Sequence, residues 1–190
     1  MRGKSLPRLF FFTDPARVPN AEAVLARLPR GAGVVYRAFG APDAVARGRR
    51  LVRIARGRGL LLLAGADAGL AAAIGADGVH LPEHAATSAL GIRRARPRWI
   101  VTAAAHSAAA IVNAQRAGAD AVFLSPVFTS ASPSAGRPLG PVRFAQLVRG
   151  ARLPVYALGG IDAATVRRIA RSGAAGFAAV DALRTCQPRT

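Results

Sequence analysis

A short pattern that occurs three times along the chain constrains the fold more than any other sequence feature. Each copy ends a helix-like segment at a glycine and then enters a strand-like run: IGADGVHL at Ile74–Leu81, AGADAVFL at Ala117–Leu124 and SGAAGFAA at Ser172–Ala179. Glycine adopts the left-handed backbone conformation of such a junction at little cost. Repeated helix–glycine–strand junctions predict stacked β–α units that build a parallel sheet.

Apolar strand-like runs alternate with helix-like segments along the whole chain. The predicted strands are Leu9–Thr13, Gly33–Arg37, Leu60–Ala64, Gly78–Leu81, Trp99–Ala104, Ala121–Ser125, Val155–Leu158 and Gly176–Val180. The predicted helices are Ala21–Leu28, Asp43–Arg56, Ala68–Ile74, Thr87–Arg94, Ala108–Ala117, Val142–Val148 and Ala163–Ser172. Eight strand candidates favour an α/β fold with a single (βα)8 TIM-barrel domain over residues 1–190. A doubly wound open sheet is the alternative, although no GxGxxG follows the first strand.

The formal net charge of +18 raises the question of a nucleic-acid partner. Lys4 is the only lysine, and the arginines are scattered over predicted helix faces without a basic patch interleaved with aromatic residues. We therefore expect a solvated basic surface that attracts small anionic ligands, and no nucleic-acid interface.

Neither a membrane span nor an internal disulfide is expected. The apolar runs are too short to cross a bilayer, and Asp14 and Pro15 end the first of them before it resembles a signal peptide. Cys186 is the single cysteine, which favours a reducing, cytoplasmic setting. The sequence leaves the oligomeric state open, a homo-oligomer included.

Polar residues and a glycine pair follow the predicted strands at their carboxyl ends, which form the functional face of a (βα)8 barrel. In strand order the candidates are Arg37, His80, His106, Ser130 with Ser132, Gly159-Gly160, and Asp181. The glycine pair allows backbone N–H groups to approach a ligand closely, and phosphate is the usual ligand after strands seven and eight. A plain tight turn is the alternative there.

Two histidines are candidates for different tasks. His106 follows strand five and is predicted to be the catalytic acid/base, while the alternative is a histidine that caps the next helix or binds backbone. His80 lies between apolar neighbours and is predicted to be packed or to orient a substrate. Pro82 argues against the helical spacing that would pair His80 with His84, so no metal site is predicted.

The other candidates point to ligand binding. Arg37 ends an apolar strand and needs an anionic partner or solvent. Ser130 and Ser132 lie in a loop rich in serine and proline, which either contacts the ligand or carries no chemistry. Asp162 follows the glycine pair and can cap the predicted helix Ala163–Ser172.

Five segments, taken in order, carry a resemblance to a known family: LFFFTD at Leu9–Asp14, GADGVHL at Gly75–Leu81, HS at His106-Ser107, GADAVFLSPVF at Gly118–Phe128 and ALGGI at Ala157–Ile161. Together they resemble the thiamine-phosphate synthase/TenI superfamily of TIM barrels, in register from about Leu9 to Leu183. The resemblance implies one of two reactions. The synthase joins a pyrimidine pyrophosphate to a thiazole phosphate with magnesium, whereas a TenI relative tautomerises a thiazole phosphate carboxylate to its aromatic isomer, using a histidine at the position of His106.

The chain departs from the synthase pattern at its magnesium and pyrophosphate positions. Ala66 and Ala85 stand where the family carries its magnesium aspartates, and Phe39 replaces a lysine. The loop Ser130–Pro133 keeps two hydroxyls and loses another lysine. Since a departing pyrophosphate needs its charge neutralised, these losses favour the TenI-like interpretation with no cofactor. Magnesium is expected only if the synthase interpretation holds.

Asp181 stands where the family places a small hydroxyl residue beside the phosphate. A carboxylate there repels phosphate unless an arginine such as Arg184 or Arg137 lies between the two. Three hypotheses remain: a TenI-like enzyme acting on a thiazole or related heterocycle with His106 as acid/base, an authentic thiamine-phosphate synthase, and a non-catalytic ligand-binding or regulatory barrel.

Overall fold

The computed structural model of the protein describes residues 6–132 and 136–183. Eight parallel strands close into a barrel in sequence order. The strands are β1 Leu9–Phe12, β2 Gly33–Tyr36, β3 Leu61–Gly65, β4 Gly78–Leu81, β5 Ile100–Ala105, β6 Ala121–Leu124, β7 Val155–Ala157 and β8 Gly176–Ala179. The α-helices are α1 Ala21–Arg27, α2 Ala44–Arg58, α3 Ala68–Ile74, α4 Ala89–Ala95, α5 Ala108–Arg116 and α6 Gly140–Gly150. The predicted (βα)8 barrel is confirmed, and the open sheet is excluded.

The glycine junctions have the backbone conformation that the sequence pattern predicts. Gly75, Gly118 and Gly173 have φ angles of 72°, 79° and 84°, in the left-handed region. Each turns the chain from a helical segment into the next strand. The ladder closes because β1 pairs with β2 at Phe10 and Gly33 and with β8 at Leu9 and Phe177.

Aromatic side chains fill the interior of the barrel. Phe10 packs edge-to-face against Phe123 and Tyr156, with ring centroids 5.0 and 5.2 Å apart. Phe12 contacts Phe123 in the same way, one layer closer to the carboxyl ends of the strands. Two further buried clusters pack the outer faces of the strands against the helices. Phe12 therefore lies between the barrel interior and the cavity above it.

The segment after β7 differs from the sequence prediction. The predicted helix Ala163–Ser172 is wrong, because the chain forms turns and only a short 3₁₀ helix at Val166–Ile169. Asp162 Oδ1 accepts hydrogen bonds from the backbone N–H of Ala164 and Thr165 at 2.8 and 2.7 Å. Such local side-chain bonds compete with α-helix formation. The capping role of Asp162 is thus correct, although what it caps is a turn.

The predicted helix Thr87–Arg94 is also displaced. A 3₁₀ helix at Glu83–Ser88 comes first, and the α-helix α4 begins only at Ala89. Pro82 lies immediately before the 3₁₀ helix in an extended conformation. Proline is tolerated at the start of a helical segment, but it has no N–H group that could donate a hydrogen bond within that segment.

The close pairing of β4 and β5 predicts that Gly78→Ala is destabilising. A Cβ at Gly78 would overlap the backbone carbonyl of Ile100 on the paired strand. We expect a loss of about 1–3 kcal/mol in the free energy of unfolding, the usual cost of overpacking. Urea denaturation measures it. The control is Gly57→Ala in α2, where a Cβ meets nothing within 4 Å; equal stability of the two variants would contradict the prediction.

Candidate functional site

One cavity of about 1170 Å³ opens at the carboxyl ends of the strands. It is lined by all of the residues singled out from the sequence: Arg37, His80, His106, Ser130, Ser132, Gly159, Gly160 and Asp181. They come from the ends of six different strands, which only barrel closure brings together. Their individual roles remain predictions, because their common location does not by itself assign chemistry.

His106 is held by its neighbours in a defined tautomer. Its Nδ1 lies 2.7 Å from the carbonyl oxygen of Ser125. A carbonyl can only accept, so Nδ1 carries the proton and the lone pair of the neutral ring is on Nε2. The backbone N–H of His106 donates to Glu83 Oε2 at 2.8 Å. His106 does not cap the next helix; Ser107 does, since its Oγ accepts from the N–H of Ala110. The other form of that alternative, a histidine bound to backbone, is confirmed by the contact with the Ser125 carbonyl.

His80 is a packed histidine at the floor of the cavity. It is 7% exposed, and its ring contacts Phe12 and Phe123 edge-to-face. Its Nδ1 lies 3.0 Å from Thr102 Oγ1. Burial, assisted by the nearby positive charge of Arg37, lowers the pKa of His80 to about 3. The ring is therefore neutral near physiological pH and is a poor proton donor.

A chain of ion pairs runs along one side of the cavity from β2 to β8. Arg37 Nη2 and Asp14 Oδ2 are 3.2 Å apart, and Arg17 Nε lies 3.7 Å from the same oxygen. Arg17 Nη2 then reaches Asp181 Oδ2 at 3.1 Å. Arg37 also donates through Nε to the carbonyl oxygen of Thr13 at 2.7 Å. We call these four charged residues the ion-pair chain.

Asp14 and Arg17 belong to the ion-pair chain but are not among the site residues predicted from the sequence. Asp14 directly follows the predicted strand Leu9–Thr13, and this position at a strand end is the signal that could have identified it. Arg17 lies in the loop after β1, and no local pattern indicates that it contacts Asp181, which follows the neighbouring strand β8. Arg17 is thus the arginine beside Asp181, whereas the sequence suggests Arg184 or Arg137 for this position. Arg184 lies outside the described residues.

The glycine pair after β7 is required by the packing of the adjacent loop. Gly159 and Gly160 have φ angles of 87° and 65°. A Cβ on Gly159 would lie 2.9 Å from the Cα of Pro126, and one on Gly160 would overlap the carbonyl oxygen of Thr129. The loop after β6 also donates to this turn, from Phe128 N–H to the Gly159 carbonyl at 3.0 Å. The tight-turn explanation thus accounts for both glycines, with or without a bound phosphate.

Ser130 and Ser132 lie in the loop that follows β6. The N–H of Ser132 and Ser130 Oγ are 3.3 Å apart, and both residues are partly buried at the cavity wall. Pro133, which completes the loop motif considered in the sequence, lies outside the described residues.

The residues at the family's magnesium positions do not fit magnesium. Ala66 and Ala85 offer no side-chain oxygen, whereas magnesium requires hard oxygen ligands in near-octahedral geometry. Of the neighbouring carboxylates, Asp67 caps α3 by accepting from Leu70 N–H, and Glu83 accepts from His106 N–H. Within residues 6–132 and 136–183, no three histidine, cysteine or acidic side chains are grouped so that they could hold a metal ion.

The fold and the cavity define a class of protein: a (βα)8 barrel whose strand ends surround a large cavity. The family model described as thiamine monophosphate synthase matches residues 9–183. The chain belongs to this thiamine-phosphate synthase/TenI family. None of the helices in the described part of the chain has the length and apolar composition needed to span a bilayer.

Individual relatives are similar over most of the chain. A putative thiamine-phosphate synthase 2 from Aquifex aeolicus is 36% identical over 63% of this chain and 64% of its own length. A thiamine-phosphate synthase from Synechococcus is 30% identical over 93% of this chain and 52% of its own. The chain thus spans less than two thirds of the length of each of these two relatives. The structure of a thiamine phosphate pyrophosphorylase from Pyrococcus furiosus superposes with a TM-score of 0.81 at 23% identity, covering 95% of this chain and 88% of that one, which establishes a shared fold.

Burial of His80 predicts a pH dependence of stability. The folded protein protonates His80 only near pH 3, while the unfolded chain does so near the ordinary value of 6.5. The unfolded state therefore binds more protons between these values, and stability falls as the pH falls. We expect the free energy of unfolding to fall by up to about 1.4 kcal/mol for each unit by which the pH is lowered. Urea denaturation between about pH 7.5 and about pH 5.5 measures it.

Substitution of an exposed histidine is the control for the pH dependence of the free energy of unfolding. His80→Gln should remove most of the slope, whereas His84→Gln, at an exposed position, should retain it. A wild-type protein whose stability is flat over this pH range would contradict the burial argument.

Proposed function

We propose that this chain is a TenI-like enzyme of the thiamine-biosynthesis type, acting on a thiazole, a thiazole phosphate or a related heterocycle with His106 as the acid/base. The observation that carries the proposal is the fixed tautomer of His106 at the cavity wall. Family membership and the departures at the magnesium positions support the same choice. We also propose a cytoplasmic location, in keeping with the single cysteine.

A tautomerisation suits a site with one free basic nitrogen. One proton leaves a saturated ring carbon and one is added to a conjugated carbon outside the ring, which makes the ring aromatic, so no oxidant or reductant is needed. Nε2 of His106 can accept the proton that leaves and then donate it to the carbon that gains one. Throughout, Nδ1–H stays hydrogen-bonded to the Ser125 carbonyl. That bond also holds the ring in place between the two transfers.

The rest of the cavity is suited to a flat heterocycle. Phe12 and the neutral His80 form its floor, and Leu158 and Ile161 contribute apolar wall. Apolar walls with a few placed polar groups are the usual construction of small-molecule sites. The proposed partner is accordingly a small anionic or heterocyclic ligand and not a nucleic acid.

Substitution of His106 tests the proposal. His106→Asn should lower turnover by ~10²–10⁴-fold, the usual contribution of one general acid/base, while ligand binding persists. The assay follows conversion of the thiazole carboxylate tautomer to its aromatic isomer by absorbance and chromatography. Both the phosphorylated and the unphosphorylated tautomer are offered.

His84→Asn is the matched control, because His84 is exposed and lies in the 3₁₀ helix Glu83–Ser88, next to the Glu83 that accepts from the His106 N–H. It should leave turnover unchanged. A folded His106→Asn variant with full activity would show that His106 is structural. Absence of turnover by the wild type on either tautomer would favour a non-catalytic ligand-binding or regulatory barrel.

The alternative proposal is an authentic thiamine-phosphate synthase. The names of the Aquifex and Synechococcus relatives favour it, and the alanines at the magnesium positions count against it. The residues present do not supply the ligands that neutralise a departing pyrophosphate.

A coupling assay decides between the two. We expect no magnesium-dependent formation of thiamine phosphate from the pyrimidine pyrophosphate and thiazole phosphate. The double variant Ala66→Asp, Ala85→Asp restores both carboxylates and should bind magnesium more tightly than the wild type in calorimetric titration. Robust magnesium-dependent coupling by the wild type would overturn the expectation and establish the synthase function.

A further inference from the structure

The lining of the cavity has the opposite charge to the chain as a whole. The chain carries a formal net charge of +18. Among the described residues that line the cavity, two are arginines and three are aspartates: Arg17, Arg37, Asp67, Asp162 and Asp181. Hydrogen bonds from Thr165 hold the pKa of Asp162 below its ordinary value, so this carboxylate is ionised near neutral pH. The cavity is therefore not a cationic receptor, although the molecular surface is strongly basic.

Both lining arginines are already engaged with carboxylates. Arg37 pairs with Asp14 and donates to the Thr13 carbonyl, and Arg17 bridges Asp14 and Asp181. The ion-pair chain as a whole contains two positive and two negative charges. An arginine that shares its charge with a carboxylate in this way offers little to a further anion.

Asp181 occupies the part of the barrel where phosphate is usually bound. Only Val180 separates it from β8, and it begins a 3₁₀ helix at Asp181–Leu183, beside the turn after β7. In (βα)8 barrels, phosphate groups often bind to the loops after strands seven and eight and a short helix there. The Asp181 side chain is 53% exposed at the cavity wall, whereas its partner Arg17 is only 19% exposed, so a phosphate in this position would meet the carboxylate before the guanidinium.

The β2 end of the ion-pair chain provides no further cation for a phosphate among the described residues that line the cavity. Phe39 is 66% exposed, and its ring lies 5.0 Å from the guanidinium carbon of Arg37. The guanidinium is also 5.8 Å from the Phe12 ring, so aromatic rings flank it as well as Asp14. This side therefore favours an aromatic or uncharged group over a second anion.

We infer that the cavity selects an unphosphorylated heterocycle bearing a hydroxyl or amine, which donates a hydrogen bond to Asp181, over the corresponding phosphate ester. The inference rests on the proposed function, because it takes this cavity as the heterocycle site. Asp181 is then a specificity-determining residue, and Arg17 is a positioning residue that orients its carboxylate. The alcohol and its phosphate monoester share every other group, so the difference in their affinities isolates this part of the site.

Calorimetric titration of the wild-type chain with three probes measures the selection. The probes are 4-methyl-5-(2-hydroxyethyl)thiazole, its phosphate monoester and inorganic phosphate, at constant ionic strength. The alcohol should bind at least about tenfold more tightly than the monoester, because a single like-charge contact is enough for that ratio. Inorganic phosphate should not compete with the alcohol.

Asp181→Asn should reverse this preference. It keeps the side-chain shape, removes the negative charge and releases Arg17 for an incoming anion. We expect the monoester to gain about tenfold or more in affinity, and the alcohol to bind no more tightly than to the wild type. The matched control is Glu22→Gln: Glu22 is 45% exposed, lies 3.2 Å from Arg50 and does not line this cavity. It should leave both affinities unchanged.

The outcomes separate this inference from the proposed function. A wild-type protein that binds the monoester as tightly as the alcohol, or an Asp181→Asn variant that does not gain affinity for it, overturns the inference and leaves the role of His106 intact. Selective binding of the alcohol without turnover of either tautomer supports the inference and counts against the enzyme. Binding of neither thiazole overturns the inference and removes the thiazole from the proposed function.

Discussion

Closure of the sheet depends on the aromatic side chains that fill its interior. Phe10, Phe123 and Tyr156 come from β1, β6 and β7, and their rings pack within about 5 Å of one another, so strands distant in sequence are held around one centre. Each aromatic ring buries a large apolar area. Phe, Trp and Tyr together make up only 6% of the chain, so a few aromatic residues fill most of the barrel interior. The eight strand ends, and with them the cavity, have fixed positions because this interior is filled.

The same interior sets the chemistry of the cavity floor. Phe12 and His80 pack edge-to-face directly above the aromatic layer, and the pKa of His80 is lowered because its ring is desolvated there. In the proposed function the two histidines have different tasks: the neutral His80 shapes the floor of the cavity, and His106, at the wall, exchanges a proton through Nε2. Burial distinguishes these two otherwise identical side chains.

Two non-glycine residues at the cavity have left-handed backbone conformations. Phe39 has φ 50° and Ala66 has φ 66°, and they lie in the loops after β2 and β3. Each costs of order 1–3 kcal/mol unless its surroundings compensate. Asparagine and aspartate tolerate this conformation better than alanine. Ala66 therefore lies in a loop whose backbone suits the family's polar residue, so the loop keeps its shape although the metal-binding side chain is absent.

The sequence by itself determined the fold and the positions of the candidate site, because both depend on local patterns. Glycine junctions and apolar runs place strands by their immediate neighbours, and the residues that follow those strands must lie at one end of a parallel barrel. The helix predicted at Ala163–Ser172 failed where Asp162 binds the backbone locally, a competition that helical spacing alone does not reveal. Only the tertiary structure decided which nitrogen of His106 is protonated, that Arg17 joins Asp14 to Asp181, and that the cavity lining is more acidic than the surface. These properties depend on contacts between residues far apart in the chain, and the electrostatics of such contacts are set by distance and burial in space.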